Sequence, residues 1–263
     1  YCLVRHNEKS TSFNRMRNTL KNYYKNFNDK WFNKIEVIDG DFSKEFLGMS
    51  KDDYYSLCSV ITTIVHCGAN VKHYGKYEDF YQTNVVGTEN MIKLAYDSKA
   101  KLAHISTLSV GGFSDINSSK VLTEKDISID QKFNNNVYMI TKYEAECKVL
   151  DAISKGWILA KIFRMGNIMP RYSDGCFQKN KYDNAFLSRM QTILNLKICP
   201  DIYLNMHIDL TPVDDASRAV VKLLKYNSSR TIHHIFNKYI VNIFNILDKS
   251  NFKVVSTDEA IKV

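Results

Sequence analysis

The sequence predicts an α/β fold in which a parallel sheet is covered by helices on both faces. Three observations carry that expectation. Short apolar or alternating runs recur along the chain, each stopping at Gly, Asp or a hydroxyl residue, where turn chemistry is expected. Between them lie longer segments with apolar side chains at helical spacing. The two kinds of segment alternate strictly over the first two thirds of the chain, as crossover helices joining parallel strands require, and ligands of such sheets gather at the strands' carboxyl ends.

Taken in order, Tyr1-Cys2-Leu3-Val4-Arg5 reads as a buried strand, and Thr11 to Phe27 as an amphipathic helix among Lys, Arg and Asn. Lys34 to Ile38 alternates as a strand and stops at Asp39-Gly40-Asp41; a helix follows over Lys51 to Val60. Thr62 to His66 is a short apolar strand closed by Cys67-Gly68-Ala69, and Tyr77 to Asp97 is one long, well-patterned helix. Lys101 to Ser106 is a strand ending in Ser106-Thr107-Leu108-Ser109, after which a polar loop leads to a helix running to Ser154. Trp157 to Arg164 is the next buried strand. Beyond Gly166 the pattern weakens into a loop-rich stretch to Met206. His207 to Thr211 then leads through Pro212, suited to a first helical turn, into a helix over Val213 to Leu224. Thr231 to Phe236 and Phe252 to Ser256 read as strands, with a short helix over Val241 to Leu247 between them. No repeat or linker divides the chain.

Its 263 residues are enough to bury a sizeable core, and 44% hydrophobic with 24% charged residues is ordinary globular composition, which argues against disorder. The net charge of +8 is spread along the sequence with no dense basic tract, so it points to an anionic small molecule or acidic partner and not to nucleic acid. Six widely spaced cysteines form no C-x-x-C pair, so neither a zinc site nor a disulfide framework is signalled, and a reduced cytoplasmic setting is expected. No apolar run is long enough to span a membrane.

Tyr138 and Lys142 are four residues apart, which on a helix places phenol and ammonium on one face about a turn from each other. A cation beside a tyrosine favours its phenolate, as a proton-transfer tyrosine working near neutrality requires. With 16 tyrosines in the chain, the spacing also arises by chance. Its setting separates the two readings: Asn84 lies on the preceding long helix, Thr107 follows the next strand, and Tyr138 and Lys142 come after it.

In that order the sequence resembles the extended short-chain dehydrogenase/reductases, and among them the thioester reductase domains that terminate nonribosomal peptide synthetases, relatives of carboxylic acid and fatty acyl reductases. The resemblance rests on Cys2 to Arg5, Gly40-Asp41-Phe42, Ile64 to Val71, Asn84-Val85-Val86-Gly87-Thr88, Ile105 to Gly111, Tyr138-x-x-x-Lys142, Arg164-Met165-Gly166-Asn167-Ile168 and Asp209 to Asp214. It implies a Rossmann-type doubly wound sheet over residues 1–165 that binds NADPH, with a substrate-binding portion over 166–263. It also implies reductive release of an acyl or peptidyl thioester, carried by a phosphopantetheine-bearing carrier protein or by coenzyme A, as aldehyde or alcohol.

By the same resemblance, Thr107 and Tyr138 hold the thioester carbonyl oxygen, with Tyr138 as proton donor. Lys142 lowers the tyrosine's pKa and binds the nicotinamide ribose, and Asn84 holds a relay water. Thr107 read alone is a strand-end hydroxyl, and Asn84 read alone a cap or helix cross-link. Arg5 and Arg15 suit a 2′-phosphate, although Arg15 on an amphipathic helix also suits solvent. Asp41 and Phe42 flank the adenine. His66, Gly68 and Ala69 line the cofactor trough, His66 being equally a packed strand-end histidine, and Met165, Gly166 and Asn167 sit beside the nicotinamide.

The sequence departs from the family at Met165, where proline is usual, at Pro170, where glycine is common, and at Gly68, an alanine position. The family's opening strand, G-x-x-G-x-x-G turn and first helix, about 30 residues, have no counterpart after Tyr1, so the chain is expected to be a piece of a larger reductase or a degenerate, non-catalytic Rossmann module. A nucleotide-sugar epimerase or dehydratase shares Thr107, Tyr138 and Lys142 in kind. The segments 66–71 and 209–214 favour the thioester branch.

Overall fold

The computed structural model describes residues 1–5, 10–24, 26–72, 75–113, 120–179, 184–226, 228–247 and 252–260. The chain divides into two compact units, one of residues 1–71, 75–105 and 133–162, the other of 72–74, 106–132 and 163–263.

The first unit runs β1 (Cys2–Val4), α1 (Ser12–Tyr23), α2 (Asp29–Phe32), β2 (Val37–Asp39), α3 (Lys51–Val60), β3 (Thr63–His66), α4 (Tyr77–Phe80), a π-helical segment (Tyr81–Val86), α5 (Gly87–Ser98), β4 (Lys101–Thr107), α6 (Val137–Ser154) and β5 (Ala160–Met165), the ends of β4 and β5 passing into the second unit. Helix starts follow local chemistry. Thr11 caps α1 by accepting from the Asn14 amide at 3.3 Å, and Ser50 caps α3 through Asp53 at 3.1 Å. β1 and β2 pair in parallel, Cys2 opposite Val37 and Val4 opposite Asp39. β3 and β4 also pair in parallel, with His66 opposite His104, and β5 flanks β4, where the Leu102 amide donates to the Leu159 carbonyl at 2.9 Å. The parallel strands and crossover helices predicted from the sequence are therefore present. α5 packs on β3 and against α3 and α6, burying Met91, Leu94 and Ala95.

The predicted single helix from Tyr77 to Asp97 is interrupted. Over Tyr81–Val86 it widens to π geometry, and Asn84 in that segment is buried with its amide engaged by backbone and side chain. A single widened turn is too short for helical periodicity to register.

The second unit contains β6 (Ile168–Met169), α7 (Ala185–Leu196), β7 (Ile198–Pro200), β8 (His207–Asp209), β9 (Thr211–Pro212), α8 (Val213–Lys225), β10 (Ile232–Ile235), β11 (Ile240–Asn242), α9 (Ile243–Ile246), β12 (Lys253–Val255) and α10 (Thr257–Ala260). β6 pairs in parallel with β9 and β7 with β12, whereas β8 and β11 are antiparallel. β10 adjoins the end of β5, the Gly166 amide donating to the Ile235 carbonyl at 2.8 Å. The stretch read from sequence as loop holds a twelve-residue helix, α7, capped by Asn184. Its Ile193 packs with Cys199, Tyr203, Ile243 and Leu247. Ile243 and Leu247 lie fifty or more residues away in sequence, and a helix whose polar face carries few charges leaves little trace in local periodicity.

Candidate active site

α6 begins where Asn136 accepts a hydrogen bond from the Met139 amide at 3.1 Å, which places Tyr138 in the first turn and Lys142 one turn on. Tyr138 is half-buried and Lys142 only 4% exposed. The Lys142 ammonium donates to the carbonyl of Ile105, near the end of β4, at 2.7 Å. Burial pulls its pKa from 10.5 down to about 8, while Glu146 and Cys67 push the other way. The sheet therefore receives a long basic side chain in a dry setting and satisfies one of its three donors with a strand carbonyl.

One helical segment away, Asn84 accepts from the Asn70 amide at 2.6 Å and donates to the Asn70 carbonyl at 3.2 Å and to the Thr141 hydroxyl at 3.0 Å. It ties the segment after β3 to α6, the cross-link that its residue type suggests. Thr107, two residues beyond Ile105, is buried in the second unit and accepts from the Ser109 amide at 3.1 Å, capping the 3₁₀ turn of Leu108–Gly111.

At the carboxyl ends of β1 and β2, Arg5 lies 3.6 Å from the Asp41 carboxylate, and the Arg15 guanidinium donates to the Arg5 carbonyl. Burial raises the Asp41 pKa, but donation from the Ser43 hydroxyl at 2.7 Å and amide at 3.0 Å, together with Arg5, leaves it below its ordinary value. Phe42 stands edge-on to His66, ring centres 5.2 Å apart, in a slot walled by Gly68 and Gly87. Ala69 follows Gly68 and is half-buried. His66 is buried, its Nε2 3.2 Å from the Thr88 hydroxyl, and burial with the neighbouring Lys142 lowers its pKa to about 3.

In the second unit, Asn167 binds the Asp209 carboxylate twice, through its amide at 2.9 Å and its side chain at 2.8 Å, and the Thr211 hydroxyl adds a third donor at 2.7 Å. A Cβ on Gly166 would lie 2.0 Å from Asp209 Oδ2. Met165 is half-buried beside them. Asp214 accepts from the Tyr172 amide at 3.0 Å and the Ser173 amide at 3.3 Å, which hold its carboxyl down at about 2.

Three residues escaped sequence reasoning. Asp209 was visible only as part of a motif with no role. Arg164, wholly buried, donates to the carbonyls of Thr123 (3.3 Å) and Asp126 (2.8 Å) and so holds that loop. Glu146 is 1% exposed, and its spacing of four from Lys142 was the signal available.

Comparison with known proteins agrees with the ordered motifs. The chain is 29% identical over 239 residues to a component of the linear gramicidin synthase of Brevibacillus parabrevis, covering 90% of this chain and 5% of that protein. It is 28% identical over 220 residues to a carboxylic acid reductase of Segniliparus rugosus, covering 76% of this chain and 18% of the relative. The structure of a thiolation-reductase di-domain from an archaeal non-ribosomal peptide synthetase superposes on all of it with a TM-score of 0.85 at 28% identity, over 56% of that chain. The chain thus spans a small part of these curated relatives. The profile of the NAD-binding family described as Male sterility protein matches residues 1–220, and the chain belongs to that family.

Proposed function

We propose that the chain carries out NADPH-dependent reductive release of an acyl or peptidyl thioester, presented on the phosphopantetheine arm of a carrier protein or on coenzyme A, as an aldehyde or alcohol. The observation that carries this reading is the buried Lys142 ammonium, held by the Ile105 carbonyl one helical turn from Tyr138. A cation there stabilises the phenolate left after proton transfer, making Tyr138 an effective acid near neutral pH.

The donor set at the ends of β1 and β2 fits a nicotinamide dinucleotide phosphate. The Arg5 side chain is 67% exposed and so able to meet a ligand, and a guanidinium in that place suits a 2′-phosphate where an acidic residue would suit a ribose hydroxyl. The cofactor, when bound, supplies the hydride. The chain's own residues do the rest. Arg5 and Arg15 hold the phosphate, Asp41 and Phe42 flank the adenine, and Lys142 binds the ribose beside the nicotinamide. Gly68 and Ala69 after β3, with Met165, Gly166 and Asn167 after β5, contribute cofactor-facing backbone. Tyr138 gives its proton to the carbonyl oxygen, for which Thr107 is the second donor; preplaced donors stabilise the charge that develops there. Asn84 has one lone pair left on its side-chain oxygen after serving Asn70, enough to hold a relay water. The second unit from residue 166 onward forms the substrate portion.

The test is NADPH oxidation by the purified protein supplied with an acyl-pantetheine thioester. Tyr138→Phe is expected to lower kcat at least about 100-fold, and a sugar nucleotide in place of the thioester to give no turnover. Full activity in Tyr138→Phe overturns the mechanism.

A further inference from the structure

We infer that Glu146 is a positioning residue for Lys142, its buried carboxylate keeping that lysine charged at the pH where the reductase works. The inference rests on the reading of Lys142 given above. Tyr138, Lys142 and Glu146 are spaced four and four along α6, and each such step advances about 40° beyond a full turn, so the three form a strip along one face. The face is dry: Lys142 is 4% and Glu146 1% exposed. The opposite, wet face of the same helix carries the surface pairs Lys148 with Glu89 at 2.6 Å and Lys155 with Asp151 at 2.6 Å.

Taking an ammonium out of water costs several kcal/mol, and an uncompensated one deprotonates instead. The groups that bear on Lys142 come from three elements: His66 at the end of β3 and Cys67 just beyond it, His104 on β4, and Glu146 on α6 itself, where Tyr138 lies one turn before the lysine. Burial and the nearby Lys142 keep both imidazoles neutral, so neither adds a second positive charge beside the lysine and neither balances its charge. The Ile105 carbonyl contributes only a dipole. Glu146 is the carboxylate in this set. A glutamate buried in an ordinary core would carry no such relation to a catalytic lysine.

The experiment is Glu146→Gln, which keeps side-chain volume and hydrogen-bonding reach, measured two ways. Competitive acetylation across pH, quantified at Lys142 by mass spectrometry, reads the lysine's titration without cofactor or turnover. Its midpoint is expected to fall by at least one pH unit, a tenfold change in the proton equilibrium. NADPH-dependent thioester reduction should then lose activity as pH rises at a point displaced downward by the same amount, while Glu146→Asp, which retains the charge, stays nearer the wild-type profile. A Lys142 midpoint unmoved in folded Glu146→Gln overturns the inference, as does a uniform loss of rate with no displacement of the pH profile. A midpoint that moves in Glu146→Gln while the wild-type protein itself reduces no thioester sinks the proposed function and leaves the Glu146 pairing standing. If Glu146→Gln does not fold, Lys142→Met/Glu146→Gln is expected to fold, since neither charge is then left alone. A double variant that stays unfolded also overturns the pairing.

Discussion

Gly68 has no room to be anything larger. A Cβ there would lie 2.5 Å from the Phe42 ring, and on the ring's other side a Cβ at Gly87 would meet it at the same distance, so Phe42 has no direction in which to yield. The Phe42 ring fills the space that a methyl group at Gly68 would need. Gly68→Ala is expected to destabilise the protein by about 1–3 kcal/mol, the usual cost of overpacking, and Phe42→Leu in the same chain should recover most of it. Urea unfolding of the single and double variants checks both. Among the individual residues, the helical spacing of Tyr138 and Lys142 and the place of Arg5 at the end of a strand were legible in the sequence. The seat of Phe42 was not, since it depends on which two glycines end up facing the ring.

The π-helical segment of Tyr81–Val86 explains why a polar residue is tolerated inside a helix pair. The extra residue per turn directs the Asn84 amide to the Asn70 backbone and to Thr141 on α6, three bonds for one buried side chain. Asn84→Leu should leave the Asn70 amide without its acceptor, at about 1–3 kcal/mol for a group left unsatisfied, while the Thr141 hydroxyl keeps its bond to the Val137 carbonyl at 2.8 Å. Faster hydrogen exchange at the Asn70 amide, out of proportion to other amides of the unit, is the expected signature. Uniform acceleration would instead mean that Asn84 acts only on global stability. Helix α7 teaches the complementary lesson. Its cap, Asn184, was in the sequence, but the residues its apolar face needs arrive from β7, the turn after it and α9.

At the scale of the whole molecule, buried basic groups set the acid response. The unfolded chain protonates an imidazole near 6.5, whereas folded His66 does so only near 3 and His104 well below its ordinary value. Between those limits the unfolded state binds more protons, so the histidines' contribution to stability is full above pH 6.5 and is lost as pH falls, by at most about 1.4 kcal/mol per pH unit for each histidine. Lys142, with its pKa lowered to about 8, adds a loss of the same sign as pH falls from 10.5 to 8. The urea midpoint should therefore drop between pH 7 and 5, and His104→Phe should flatten that slope; an equally steep slope in the variant would show that His104 is not its source. The alternation of strands and helices, the helix caps, the Tyr138–Lys142 spacing and the +8 charge were determined by the sequence alone, because each rests on residues within a few turns of one another. What the tertiary structure decided was burial. It brings the Ile105 carbonyl to Lys142, Asp209 to Asn167 and the 123–126 loop to Arg164, and these pairings join residues about forty apart, whose desolvation and hydrogen bonds no local pattern can encode.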